Sequence, residues 1–538
     1  MYNIHAHDQQ WVSEQIQPLP RPIAATLLKL YKKQPDRRAA NTYLRESCKL
    51  IEDNLPNGFS GIRLKWSEDD LRNAAKTNSK KCFHLFHGKY PLNGIIKQHR
   101  VPLTENIEIH SVNEILALKK RCQSLGRFGE SKGVTPPDAK ISENQPIEIQ
   151  YRRYMAFKKR MCDQNWWLHA LRKAQSKKLE TASHAINIVN KYAGIYASDI
   201  SVNRRKDQNL RNKQLLENMQ ATNELGESFT LSEISDKNIS NPRVRRSELM
   251  VRIRGMEDYA NKSGLKGVFL TFTCPSKYHR SISSSGKPNP KWGGYTPLDG
   301  QNYLNYNWER IRTAFQRGNI NPIAIRVAEP QHDGTPHWHI LLFTASDRVN
   351  DAVAICRKYA LEIDGNEPGA DKHRFDVKEI DPAKGSATGY IAKYICKNID
   401  GSNLEEGIYG EDPIIAAQRV DTWRSVWGIR QFQFIGGASV TVWREIRRLP
   451  ANNDLPEEFE AIRAAADESN WCQFNDLMGG FHCPRKEQKV KPYYSLKFDS
   501  QTGEIKESLY GDDLIEKLMG VVFADQNIIT RYHEWKIE

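Results

Sequence analysis

No apolar run in the 538 residues approaches the roughly 20 needed to cross a bilayer, so a membrane-spanning role is not expected. The nine cysteines stand singly between Cys48 and Cys483 with no close C-x-x-C pair. That spacing argues against both a disulfide framework and a zinc finger, and free thiols are expected. Residues 1–8 lack the charged-then-apolar pattern of a secretory signal, which points to the reducing cytoplasm. There is no G-x-x-x-x-G-K-S/T loop, so work driven by a nucleoside triphosphate would fall to a separate protein. Internal repeats and long low-complexity tracts are absent as well.

What the chain does have is length and positive charge. Its size implies about two to four domains. Lys plus Arg outnumber Asp plus Glu by 79 to 65, giving a net charge of +14 that suits a polyanionic partner. Residues 1–150 mix short apolar runs with Pro and Gly and carry no nameable chemistry. Residues 151–255 turn helical and basic, with Arg243, Arg245 and Arg246 as candidate contacts to nucleic acid. Trp166 and Trp167 sit beside cations there; they suit either base stacking or a core position. Residues 256–450 alternate strands and helices, and 451–538 form a more acidic C-terminal appendix. The expected class is α+β, with helical N-terminal and separate C-terminal regions. Within it, strands are expected over 267–273, 323–327, 337–343, 373–380, 431–435 and 438–443, and helices over 300–317 and 386–399.

Two constellations carry chemistry. In His337-Trp338-His339 the alternation of a strand puts both imidazoles on one face and Trp338 on the other, as two ligands for one metal ion. Other metal enzymes use the same spacing, and two exposed histidines at a hairpin end would look alike. A third ligand is sought on the preceding strand, where Glu329 and His332 compete. Register decides between them: a two-residue turn at Asp333-Gly334 puts His332 on the histidine face, whereas a loop one residue longer brings Glu329 there, opposite His339. Pro336 cannot donate to the ladder, which disfavours the tight turn and prefers Glu329.

The second constellation is Gly389-Tyr390-Ile391-Ala392-Lys393-Tyr394-Ile395-Cys396-Lys397. On a helix, Tyr390, Tyr394 and Lys397 share one stripe, Lys393 lies at its edge, and Ile391, Ile395 and Ile399 cover the opposite side. The tyrosines thus fall off the apolar face, and Lys393 and Lys397 are candidates to stabilise a phenolate, since a free phenol is a poor nucleophile at neutral pH. A metal held by the histidines would polarise a phosphodiester, and either tyrosine would attack it to leave a phosphotyrosine and a free 3′-hydroxyl.

Taken in order, Val268–Ser276, Glu329–His339 and Gly389–Tyr394 resemble the motifs of the replication gene A proteins of temperate phages, members of the HUH endonucleases. The resemblance spans roughly residues 160–450. It implies Mg²⁺ or Mn²⁺, a central antiparallel sheet of ferredoxin-like type, a single-stranded or hairpin origin as substrate, a host replicative helicase as partner, and initiation of rolling-circle replication. The alternatives are an HUH-type transposase or relaxase, a non-catalytic nucleic-acid-binding protein, and a small-molecule hydrolase. Relaxases commonly place the tyrosine before the histidine motif, whereas here it follows.

Overall fold

In the sequence, apolar residues alternate with period two in short runs separated by Gly- and Pro-rich breaks, and in the computed structural model those runs become one sheet. The structure describes residues 5–59, 61–87, 112–138, 140–381, 383, 385–402, 406, 410–451, 455–499 and 502–538. Residues 1–4, part of the stretch read as lacking a secretory pattern, lie outside them. The sheet has five strands, β1 (Leu265–Thr273), β2 (Ile323–Pro330), β3 (Pro336–Ala345), β4 (Phe375–Glu379) and β5 (Phe432–Ile435). They are antiparallel throughout, in the spatial order β4-β1-β3-β2-β5. The central strand β3 is covered on both sides, as its unbroken Ile340-Leu341-Leu342-Phe343 run requires.

Each face of the sheet has its own helical layer. The helices around it are α1 (Pro242–Lys262), α2 (Pro297–Arg317), α3 (Val349–Leu361), α4 (Ala387–Ile399), α5 (Pro413–Trp427), α6 (Val440–Ile446), α7 (Glu457–Asp467) and α8 (Trp471–Leu477). Phe269, Ile325, Val327, Leu341 and Phe343 point to one face and share a core with α1, α4, α6, α7 and α8. Val268, Leu270, Ala328, Trp338 and Leu342 point to the other, against α2, α3 and α5. The chain is therefore an α+β protein, and Trp338 does lie opposite the two histidines.

Chain contacts divide the molecule into two units, 1–186 with 494–517, and 187–493 with 518–538. The first is helical, with Leu71, Phe86, Leu125, Phe157, Met161 and Trp167 in its core. Trp167 is fully buried and donates its indole N–H to the Met161 carbonyl at 2.7 Å, a core role rather than a base-stacking one. Residues 494–517 join this unit through Tyr510–Asp163 and Arg160–Asp512, each at 2.7 Å.

The C-terminal stretch expected to stand apart is instead shared out. Phe459, Trp471 and Phe474 belong to the second unit's core, and Trp535–Ile537 pairs with Gln220–Asn223. All nine cysteines are free thiols. One strand expectation is corrected: Val440–Ile446 is a helix. Its alternating Val-Thr-Val-Trp looks like a strand, but Gly436 and Gly437, both at positive φ, turn the chain so that Val442, Trp443 and Ile446 bury one helical face.

Where α1 crosses α8 the backbones meet at Gly255, and a Cβ there would lie 2.6 Å from Trp471 Cβ and 2.7 Å from the Cys472 nitrogen. Gly255→Ala should lower the urea unfolding midpoint, followed by tryptophan fluorescence, at a cost of about 1–3 kcal/mol of overpacking. An unchanged midpoint would mean that the two helices separate freely.

Candidate active site

Hairpin geometry sets the site. The β2–β3 turn is a three-residue loop, His332-Asp333-Gly334. Gln331 and Thr335 close it through the Gln331 N–H to the Thr335 carbonyl, 2.8 Å, and the Gly334 N–H bonds the Gln331 carbonyl at 2.8 Å. Gly334 takes φ +81°, the left-handed position that this turn reserves for glycine. The extra loop residue is thus His332, on the N-terminal side. Glu329 consequently pairs with His337, not with His339 as expected, and His339 pairs with Val327. Because two positions along a strand restore the same face, Glu329 still joins both histidines.

His332 goes elsewhere. Its Nδ1 lies 3.3 Å from Ser281 Oγ, in a buried network where Asp333 Oδ2 meets His279 Nδ1 at 3.3 Å and Asp333 Oδ1 accepts the Thr335 N–H at 3.0 Å.

Glu329, His337 and His339 bring one ligand atom each within 4.8 Å of one another, the single such group among the described residues. Glu329 Oε2 lies 3.3 Å from His337 Nε2 and 3.2 Å from His339 Nε2. Neither Glu329 Oε2 nor His339 Nε2 makes a hydrogen bond of good geometry among the described residues, although both are buried. Two imidazole nitrogens and a carboxylate oxygen converging at one point, the oxygen and His339 Nε2 without a hydrogen-bond partner, fit a divalent cation.

The other carboxylate oxygen is occupied. Glu329 Oε1 sits 2.8 Å from Lys397 Nζ and accepts from Asn398 Nδ2 at 3.2 Å. Asn398 in turn accepts from Gln431 Nε2 at 3.1 Å. Burial alone would push the Glu329 carboxyl up, but Lys397 and the two imidazoles outweigh it and hold it well below the usual carboxylate range. Burial depresses His339 to about 4, only partly opposed by Glu329, so its ring is neutral near pH 7. Its Nδ1 lies 3.1 Å from Thr271 Oγ1, a contact that fixes the ring orientation.

The two tyrosines ride on α4, which Ser386 caps by accepting the Gly389 N–H at 3.1 Å. A buried Glu257 from α1 adds to the cap, accepting the Ala387 N–H at 2.7 Å and the Thr388 N–H at 3.0 Å. Within the tyrosine stripe, Tyr394 and Lys397 face the donor set. Tyr394 lays its ring on His339, centroids 3.9 Å apart, and on Phe269 at 5.4 Å. Burial, with Glu329 and Asp376 nearby, raises its phenol pKa. Tyr390 is half-buried against the same core, Lys393 is exposed, and Lys397 is buried.

Lys397 therefore balances Glu329, which corrects its expected assignment to the phenolate. Arg243 is exposed, Arg245 is half-buried, and Arg246 is paired with Asp400 at 2.9 Å. Sequence reasoning missed Thr271, Asn398, Gln431 and Glu257. Asn398 follows Lys397 by one residue, and Thr271 lies in the first resembled motif, but no pattern marked Gln431 or Glu257.

Calorimetric titration with Mn²⁺ tests the donor set. Thr271→Val should weaken binding about 10- to 100-fold by freeing the His339 ring, and His339→Ala should weaken it further. His332→Ala should bind as the wild type does, and a loss equal to that of Glu329→Ala would reverse the ligand assignment.

Residues 100–402, more than half of the chain, match the family model described as bacteriophage replication gene A protein. The replication gene A protein of Escherichia phage 186 is 40% identical over 388 residues, 70% of this chain and 55% of that protein. The probable replication protein P12 of Pseudoalteromonas phage PM2 is 39% identical over 498 residues, 89% of this chain and 74% of that protein. A probable replication endonuclease from a prophage-like region of Salmonella paratyphi A is 32% identical over 397 residues, 70% of this chain and 48% of that protein. The chain spans about half the length of most curated relatives it matches. No solved structure matches it. With one family model covering residues 100–402 and relatives 39–40% identical over 70–89% of its length, the chain belongs to the bacteriophage replication gene A protein family.

Proposed function

We propose that this protein nicks and rejoins one DNA strand at a phage origin, starting rolling-circle replication through a phosphotyrosine link, with an HUH-type core. The observation that carries this reading is the Tyr394 ring lying 3.9 Å from that of His339, one of the three residues of the Glu329–His337–His339 group. A nucleophile carried on a helix beside a divalent-cation site is what strand transfer at phosphorus needs. The relatives named as replication endonucleases support the same chemistry.

A divalent cation, Mg²⁺ or Mn²⁺, bound to these three donors supplies Lewis acidity at a non-bridging phosphate oxygen. The rest is done by the chain. Lys397 and Asn398 hold one oxygen of Glu329 so that the other remains a ligand, and Thr271 orients His339. A tyrosine oxygen forms a bond to phosphorus as the bond from phosphorus to the 3′ oxygen breaks; the phenolic proton passes to solvent and the leaving oxygen takes one up. The phosphodiester energy is kept in the phosphotyrosine, so a later 3′-hydroxyl can displace the tyrosine and close a circle.

Tyr390 and Tyr394, one helical turn apart, alternate in the two cuts. Lys393 is exposed on the same helix for the incoming strand, and Arg243 and Arg245 on α1 contribute further positive charge for DNA. The substrate is a single-stranded or hairpin origin, a host replicative helicase supplies unwinding, and the reaction takes place in the host cytoplasm. No helix of the described residues is long and apolar enough to cross a membrane.

Incubation with labelled single-stranded DNA from its own replicon, with and without EDTA, tests this on a denaturing gel. A covalent adduct should form only with metal. Tyr390→Phe or Tyr394→Phe alone should leave some first cleavage and impair the second transfer, and the double variant should give no adduct. An adduct on the double variant, mapped by peptide mass to another residue, overturns the mechanism. His337→Ala should reduce cleavage on the order of a hundredfold or more while sparing most DNA affinity, because phosphate contacts by Lys and Arg supply binding. DNA affinity should fall steeply with added salt for the same reason, and a salt-independent affinity would favour a small-molecule hydrolase.

A further inference from the structure

One aromatic ring on the surface of the second unit is both open to water and held still. Tyr192 is 70% exposed. Its amide nitrogen donates to Asn190 Oδ1 at 2.8 Å, and its hydroxyl donates to the Ser284 carbonyl at 3.3 Å. The ring lies against Gly286, whose φ is +65° and where a Cβ would come within 2.5 Å of ring atom Cδ2. Asn187 Nδ2 holds the Gly286 carbonyl at 2.9 Å, so the floor beneath the ring is fixed too. Beside it, Lys191 Nζ bonds the Ser284 carbonyl at 2.8 Å and stands 4.7 Å from the ring centroid. A large apolar ring left in water and locked in place before any partner arrives is a pre-organised contact, since its ordering entropy is lost in folding rather than in binding.

The platform is tied to the donor set by its own chain. Four residues on, the Tyr196 N–H donates to the His332 carbonyl in the β2–β3 turn at 3.3 Å. The Tyr196 ring centroid lies 5.1 Å from Lys397 Nζ, which is itself 2.8 Å from Glu329 Oε1. We propose that Tyr192 and Lys191 form a stacking platform for an unpaired base of the single-stranded DNA flanking the phosphodiester at the Glu329–His337–His339 site. This rests on the nicking reading above.

A single strand is the occupant that the chemistry selects. Stacking on an exposed ring needs a base whose face is free, which a duplex does not offer. The neighbouring charge is positive, from Lys191 and the exposed Lys287 of the loop that carries Gly286.

The test uses the full chain in EDTA, where binding is read without cleavage. Its probes are a labelled mixed-sequence oligonucleotide, single-stranded or annealed to its complement, and a single strand carrying 2-aminopurine. Tyr192→Ala should weaken single-strand binding about tenfold, within the range for one lost base stack, and leave duplex binding unchanged. Tyr192→Trp should restore it. The 2-aminopurine quench at one position along the strand should vanish in the alanine variant and return with tryptophan. Lys191→Ala should reduce the dependence of log affinity on log salt by about 0.7, as one phosphate contact predicts for a single strand.

Wild-type single-strand affinity in Tyr192→Ala, or an equal loss on single strand and duplex, overturns the platform. The nicking reading would stand in either case. A wild-type chain that binds no single-stranded DNA at all removes both.

Discussion

A carboxylate withdrawn from water stays charged only where partners repay its lost hydration, and the histidine end of the sheet depends on that constraint. Glu329 is fully buried. An isolated carboxylate there would take up a proton, because the interior cannot repay the lost hydration. Lys397 prevents this from 2.8 Å away, and Asn398, itself held by Gln431, adds a hydrogen bond. The two partners take one oxygen and leave the other facing two imidazoles. The pair also joins α4 to the sheet, so the helix carrying the tyrosines is positioned by the same interaction that keeps the carboxylate ionised. Breaking such a buried pair costs about 3–5 kcal/mol, since the survivor is left as an uncompensated charge.

Both ends of α4 are fixed independently of that pair. At its start Glu257 reaches across from α1 to take up two N–H groups that would otherwise be unsatisfied. At its end Gly401, at φ +69°, returns its N–H to the Cys396 carbonyl at 2.8 Å. A helix held at its first turn, its last turn and its buried lysine has little freedom to slide along the sheet. Tyr394 therefore meets His339 by construction rather than by closure of a mobile segment.

Much of this was legible in the sequence, and the misses share a cause. The H-x-H alternation placed two imidazoles on one face and Trp338 on the other, because period two is a local property of the strand. The tyrosine stripe was likewise visible as a helical period. What those periods could not supply was which surface would cover the stripe. Lys397 was read as a partner for a phenolate, yet it lies buried against the Glu329 carboxylate of β2. Val440–Ile446 was misread because its alternating β-branched residues carry strand propensity, and the packing of Trp443 against Trp471 and Phe474, 5.0 Å between centroids in each case, outweighs that preference. Glu257 and Gln431 were invisible for a simpler reason: their roles depend on contacts more than 30 positions distant in the chain.

The three-residue turn at the tip of the histidine hairpin imposes an arithmetic on how this region can change length. Glu329 reaches the histidine face only because the residues between it and His337 are odd in number. Gain or loss of one residue between the strands, with pairing shifted to match, would turn the carboxylate to the Trp338 side, away from both imidazoles and from Lys397. Gain or loss of two would keep it where it is. Length variation in this hairpin is thus quantised: only even steps keep the carboxylate beside the two histidines, unless a bulge absorbs the odd residue.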